Sequence, residues 1–272
     1  MDWNPALYER FGDLRLRPAV DLLSRVGDLA QGDICDLGCG NGTVGPVLAA
    51  RFPYRRLIGV DSSPAMLGKA RAAGAYGLLT EADAGQWEAD APLALIFSNA
   101  LLHWLPGHAQ LLPRLAGMLA PGGTLAVQVP HQNPAPSHRL WLELVEQLFP
   151  GRFDPAAAPG IPEARAYHEI LRPLGEVDLW ETEYFQTLPP SDGGHPVRQF
   201  TSSTFARPVL SVLSEGEAAG LIAEYDRAVA AHYPCDDGSV LFPFRRLFFT
   251  LRVPGQVPAT GSGACHGDNS KV

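Results

Sequence analysis

The sequence predicts an α/β fold, a mainly parallel sheet with helices on both faces, on three observations. Apolar strand-like runs alternate with helical segments from residue 33 to residue 130. Those runs are continuous rather than alternating, as expected of strands buried on both faces. The connections between them are short, giving a βαβαβ succession.

Residues 5–29 read as two short helices. The second, Arg17 to Val26, sets Val20, Leu23 and Val26 at helical spacing and tolerates Pro18 in its first turn. Strand one is predicted at 33–37, a helix at 43–52 and strand two at 57–60. Ser62-Ser63-Pro64 opens the next helix with a serine cap and a proline near its first position, and Gly74 ends it. Strand three falls near 76–80, strand four at 93–97 and a helix at 108–118. Pro121-Gly122-Gly123 is a turn that feeds strand five, residues 124–129. Beyond Pro130 the rhythm changes. Helices are expected at 137–148 and 163–171, and a charged strand at 176–185 in an outer position. Residues 192–213 are mixed turn and helix. Ser214 with Glu217 forms a capping box for a helix through about Ala231, and 244–253 is a last strand. Residues 254–272, rich in Gly, Ser, Pro and Ala, read as a flexible tail.

Composition narrows the function. The 272 residues carry 21 Lys and Arg against 29 Asp and Glu, a net charge of −8. That disfavours a phosphate backbone as partner. The first residues lack the basic start and apolar core of a secretory signal, and no run approaches a membrane span, so a cytoplasmic protein is expected. Cys35, Cys39, Cys235 and Cys265 show no CxxC spacing, and the eight histidines form no HxxxH or HExxH pattern, so no metal is expected.

The segment Ile34 to Gly42 carries the most chemistry. A strand leads into glycines at 38, 40 and 42, Asp36 stands just before the first, and Asp61 ends strand two nineteen residues after Gly42. A dinucleotide loop would read GxGxxG, but position 43 is Thr. Without a pyrophosphate to hold, the loop need only let backbone approach an amino-acid moiety and a ribose. Asp36 can accept from an ammonium group, Asp61 from both ribose hydroxyls, and Asp83 from an adenine amino group beside Ala84. A cofactor with an ammonium, a ribose and an adenine but no phosphate is S-adenosylmethionine. The bland alternatives are a tight glycine turn and, for Asp61, a carboxylate placed at a helix N-terminus by the dipole.

Asp36-Leu37-Gly38-Cys39-Gly40-Asn41-Gly42 resembles motif I of the class I S-adenosylmethionine-dependent methyltransferases, over residues 30–130. The resemblance implies a Rossmann-like, predominantly parallel seven-stranded sheet. Nearly all of residues 1–253 is also similar to one subfamily, the trans-aconitate 2-methyltransferases. The matching segments are 2–8, 17–23, 61–67, 99–106, 166–171 and 244–248. The subfamily implies methyl transfer to a carboxylate of a small polycarboxylic acid, with a monomethyl ester and S-adenosylhomocysteine as products. Residues 1–253 then form a single domain. Its parts are an N-terminal helical cap (1–29), a cofactor core (30–130), mostly helical substrate-cap segments (131–175 and 188–240) and the final strands (176–187 and 244–253). A monomer or weak homodimer is expected.

On this reading the cofactor wall comprises Asp36, Gly38, Gly40, Gly42, Asp61, Ser62, Met66, Asp83, Ala84, Asn99, Leu101 and Trp104. A carboxylate acceptor is already ionised near neutral pH and needs no general base. Positioning can therefore carry catalysis, with His103, Tyr167 and Arg207 as candidates. His103 reads either as a base or acceptor-binding group or as part of the cofactor wall. Candidate acceptor-binding residues are Tyr8, Arg17, His131, Tyr167, His168, Arg207 and Arg246, arginine being suited to carboxylates by its planar fork. Arg245 and Arg246 are strand neighbours, so at most one can face the pocket. A larger natural-product acid, a phenol or an amine stays open as acceptor, as does a non-catalytic cofactor-binding role.

Overall fold

The computed structural model describes residues 12–255, with side chains from Leu16 onward. Tyr8, the first expected helix and most of the expected tail lie outside them. Seven strands form one sheet: β1 (Asp33–Leu37), β2 (Leu57–Asp61), β3 (Leu78–Glu81), β4 (Leu93–Asn99), β5 (Leu119–Pro130), β6 (Glu176–Leu188) and β7 (Val240–Arg252). The order is β3-β2-β1-β4-β5-β7-β6, and β7 alone runs opposite in direction to the other six. The order reverses between β1 and β4, the switch point at which open α/β sheets bind ligands beyond the C-terminal strand ends.

Helices cover both faces. Helices α1 (Gly12–Ser24), α2 (Gly45–Arg51) and α3 (Pro64–Ala73) lie along one part of the fold. Ala19, Leu22, Leu23 and Leu48 there meet Ile34, Leu95, Phe97 and Phe248 of the sheet. On the other face, α4 (His108–Gly117) and α6 (Ala164–Leu171) pack Leu111, Leu115, Tyr167 and Leu171 against Cys35, Ile96, Val127 and Phe249. Neighbouring strand residues thus serve opposite cores, which is why the runs are apolar throughout.

Three expectations are corrected. Helix α1 begins at Gly12 rather than Arg17, so Pro18 lies in its interior and one ladder bond is missing there. The Pro121-Gly122-Gly123 turn sits inside β5, as a looped-out step where Leu93 pairs with Leu119 but Leu95 already pairs with Thr124. Gly122 takes φ +75° at that step. Residues 164–171, assigned in sequence to the substrate cap, instead join the helical layer over the sheet, because Tyr167 and Leu171 supply an apolar face to it.

The cap is built on an overhang. Strand β7 leaves β5 at the pair Pro130–Arg246, but β6 and β7 stay paired as far as Leu188–Val240. Onto this projecting hairpin pack α5 (Pro136–Leu148), α7 (Pro196–Ser202), α8 (Arg207–Ser211) and α9 (Glu215–Ala230). Their core contains Trp141, Val197, Phe205 and Tyr225, with Phe242 and Phe244 from the hairpin. Trp141 stacks on Tyr225 at 3.9 Å, and the Ser214–Glu217 capping box starts α9. Edge strand β6 takes the outer position its charges suggested. Among the described residues no helix is long and apolar enough to cross a membrane.

Candidate active site

A cavity of about 490 Å³ opens at the switch point. Of the twelve residues expected in sequence to form the cofactor wall, eleven line it: Asp36, Gly38, Gly40, Asp61, Ser62, Met66, Asp83, Ala84, Asn99, Leu101 and Trp104. Gly42 is the exception. A Cβ there would stand 2.8 Å from Ala70 Cα at φ +83°, so this glycine lets the loop pack on α3 rather than touch a ligand.

The loop is held from below. Gly38 and Cys39 donate their N–H groups to Val60 O of β2 at 2.8 and 3.0 Å. Gly38 and Gly40 have φ +78° and +54°, backbone that side chains strain to adopt. Asp61 accepts from Gly40 N through Oδ2 and from Ser63 N through Oδ1, both at 2.9 Å. Each carboxylate oxygen keeps a second acceptor position, enough for a pair of vicinal hydroxyls. Asp83 Oδ1 accepts from Gly85 N at 2.8 Å, which fixes the carboxylate at the far end of the chamber. Arg114 of α4 donates to Ala84 O at 2.9 Å and so clamps that loop.

Asp36 is buried and accepts from Tyr76 Oη at 2.7 Å. Burial pushes its carboxyl up to about 7; the Tyr76 bond opposes this and Asp61 adds to it. Asn99 Oδ1 is a buried oxygen without a hydrogen-bond partner, and it belongs to the chamber wall. A cationic donor placed here would satisfy Asn99 and restore the charge on Asp36. An ammonium at Asp36 and Asn99, a ribose at Asp61 and an adenine at Asp83 are the parts of S-adenosylmethionine, and the residues fit it.

A second, smaller cavity of about 90 Å³ adjoins the first, sharing Ala100 and Trp104 with it. Ala100 takes φ +56°, an uncommon conformation for a residue with a Cβ, at the end of β4. His103, Asn133, His138, Thr204 and Arg246 line the second cavity with Phe200, Phe205 and Phe244. Arg246 is buried, lies 4.8 Å from the Phe244 ring and donates from Nη1 to Gln128 Oε1 at 3.2 Å. It sits at the pair where β7 leaves the sheet for the cap, while Arg245 is exposed on the opposite side. Arg207, at the start of α8, lines the larger cavity instead.

His103 stands in the second cavity with Nδ1 buried and unpartnered. Burial, with Arg246, His138 and His108 nearby, lowers its pKa to about 3. Burial alone lowers His138 to about 3 as well. Both rings are neutral at ordinary pH, and so low a pKa makes His103 a weak base there.

The other proposed acceptor residues lie elsewhere. Tyr167 lines neither cavity. His108 Nε2 donates to Leu102 O and Leu105 O at 2.9 and 3.0 Å, so its Nδ1 is left to accept from Tyr167 Oη at 2.7 Å. Tyr167 thereby secures the 102–105 turn that carries His103 and Trp104. His131 is buried between Glu181, which contacts Nδ1, and Glu163, 3.5 Å from Nε2. Arg17 is exposed with its guanidinium 5.3 Å from the Tyr184 ring, and His168 is exposed on α6. Each was a donor in the right segment whose side chain other contacts or solvent claim. Sequence reading missed Tyr76, Arg114, Asn133 and His138. No motif marks them; each matters through a partner distant in the chain.

Residues 34–123 match the methyltransferase domain family. The chain is 44% identical over 259 residues to a trans-aconitate 2-methyltransferase of Methylobacterium radiotolerans, covering 92% of this chain and 98% of that one. It is 40% identical over 255 residues to a trans-aconitate 2-methyltransferase of Escherichia coli, again covering 92% and 98%. In fold it is similar to Haemonchus contortus phosphoethanolamine N-methyltransferase 2 solved with S-adenosyl-L-methionine. The TM-score is 0.52 at 17% identity, covering 88% of this chain and 53% of that one. The chain belongs to the trans-aconitate 2-methyltransferase family of S-adenosylmethionine-dependent enzymes.

Proposed function

We propose that this enzyme methylates one carboxylate of a small polycarboxylic acid, with trans-aconitate as the first candidate. The products are then the monomethyl ester and S-adenosylhomocysteine. S-Adenosylmethionine is its cofactor; it supplies an electrophilic methyl carbon on a sulfonium sulfur. Asp36, Asn99, Asp61 and Asp83 are suited to hold its ammonium, ribose and adenine, while Gly38 and Gly40 let the backbone approach.

The observation that carries the acceptor reading is the make-up of the second cavity. Its titratable groups among the described residues are Arg246, His103 and His138. Arg246 has no lone pair to offer, and both imidazoles are weakly basic. A phenol near pKa 10 would have to surrender its proton to an imidazole near 3. A carboxylate, ionised above about pH 4, has no proton to lose. Arg246 supplies the positive charge that an acid needs in an otherwise acidic protein, and Arg207 stands on the cofactor side of the Ala100–Trp104 junction. Rates then derive from positioning and from partial exclusion of water around charges that diminish together.

The aromatic wall of Phe200, Phe205 and Phe244 favours a second reading, an acid with an apolar body. The small volume of that cavity favours the smaller acids. Turnover of trans-aconitate, cis-aconitate, isocitrate, citrate, itaconate, a phenol and an amine, read by product mass and S-adenosylhomocysteine, decides between them. Turnover of the phenol alone would sink the carboxylate reading. The same reading places the enzyme in the cytoplasm, in keeping with unpaired Cys35, Cys39 and Cys235, and as a monomer or weak homodimer. Fractionation and size-exclusion chromatography test these two points.

A further inference from the structure

The cap contributes a polar side chain to the second cavity that no motif announces. His138 lies in the first turn of α5, is buried, and lines that cavity. Its ring is wedged 4.4 Å from the Phe205 ring and 6.1 Å from that of Phe244. Ser137 Oγ lies 3.0 Å from His138 Nδ1. Ser137 itself is fixed: its carbonyl accepts from Tyr225 Oη at 2.7 Å, and its N–H donates to Tyr233 Oη at 3.4 Å.

The proton positions follow from burial. Ser137 is fully enclosed, and its hydroxyl makes no other hydrogen bond among the described residues. Were Oγ to accept from Nδ1–H, its own proton would be buried without an acceptor, which is costly. The hydroxyl therefore donates to Nδ1. A neutral imidazole carries one proton, so it stands on Nε2. Nε2 has no hydrogen-bond partner among the described residues.

We propose that His138 is an acceptor-binding residue whose Nε2–H donates to a carboxylate of the bound acid, and that Ser137 positions it by holding Nδ1. This rests on the carboxylate reading above. The arrangement gives the acid two unlike contacts, a charged one at Arg246 on the sheet and a neutral donor at His138 on the cap. The acid thereby ties the cap to the sheet.

Two substitutions separate the ring nitrogens. His138→Gln places an amide N–H near the Nε2 position, and His138→Asn near Nδ1 only. The expected result is a rise of about tenfold or more in the KM for trans-aconitate with His138→Asn, the value of a hydrogen bond to a charged group. His138→Gln should recover most of it. Affinity for S-adenosylhomocysteine by calorimetry should stay within twofold of wild type for both. A KM for His138→Asn within twofold of wild type, or Gln no better than Asn, overturns the proposal. If either variant loses S-adenosylhomocysteine binding through misfolding, Ser137→Ala decides: a raised KM with intact cofactor-product binding supports the assignment, and an unchanged KM overturns it. Failure of the carboxylate reading is distinct, since wild type would then not turn over trans-aconitate.

Discussion

Replacing Asp36 by Asn tests how the cofactor chamber stores charge. Asp36 is buried beneath the glycine loop, and its pKa stands at about 7 against an ordinary value of 3.8. In the unliganded protein, folding therefore favours the protonated carboxyl. The stability that Asp36 contributes is fully present below pH 3.8, declines as pH rises, and is gone above about 7. Between pH 5 and 8.5 wild type should lose roughly 3 kcal/mol from this one group, each unit of separation being worth about 1.4 kcal/mol. The amide introduced by Asp36→Asn keeps an acceptor for Tyr76 Oη but cannot ionise. The difference between wild type and Asp36→Asn in urea-unfolding free energy, measured from pH 5 to 8.5, isolates the effect from all other groups. It should shift in favour of the variant as pH rises. S-Adenosylhomocysteine should remove much of that shift from wild type, because its ammonium restores the charged form, and the variant should bind it more weakly. A difference that is flat across this range, or that moves in favour of wild type as pH rises, would refute the burial argument.

Asp61→Ala removes the acceptor for two hydroxyls and leaves Gly40 N–H without its partner. Two charge-assisted bonds at roughly 1.5–3 kcal/mol each predict S-adenosylhomocysteine binding weakened by about a hundredfold or more in calorimetry, and a change below threefold contradicts the assignment. Gly42→Ala should lower stability by roughly 2–4 kcal/mol, from left-handed strain plus the clash with Ala70 on α3, and show as a lower Tm. Tyr167→Phe should cost about 1–3 kcal/mol of stability by orphaning His108 Nδ1, while the KM for the acid stays unchanged. A raised KM without loss of stability would return Tyr167 to the acceptor site.

The cofactor half could be read from sequence because its chemistry is local. A strand, three glycines and an acid at the end of the next strand constrain one another, and eleven expected wall residues indeed meet at one cavity. Gly42 was misplaced because a ligand-facing glycine and a packing glycine look alike without the helix that presses on them. The acceptor half resisted for another reason. The donors that bind a carboxylate are the same residue types that tie elements together. Tyr167 and His131 are such ties, to His108 and to Glu181 with Glu163, and nothing in the local sequence of either announces its partner. Arg246 was accessible through strand alternation, which separates it from Arg245. The overhanging β6–β7 hairpin, which makes Arg246 the junction of sheet and cap, depends on where β5 stops, and that is a property of the assembled sheet.

The central claim, methyl transfer to a carboxylate that needs no general base, is tested most directly by competition. Enzyme, methyl-13C-labelled S-adenosylmethionine and an equimolar mixture of trans-aconitate, a phenol and an amine are incubated together at neutral pH. The label is then located by NMR and mass. The predicted result is label confined to a trans-aconitate monomethyl ester, formed one for one with S-adenosylhomocysteine. Label on the phenol or amine with none on the acid would contradict it.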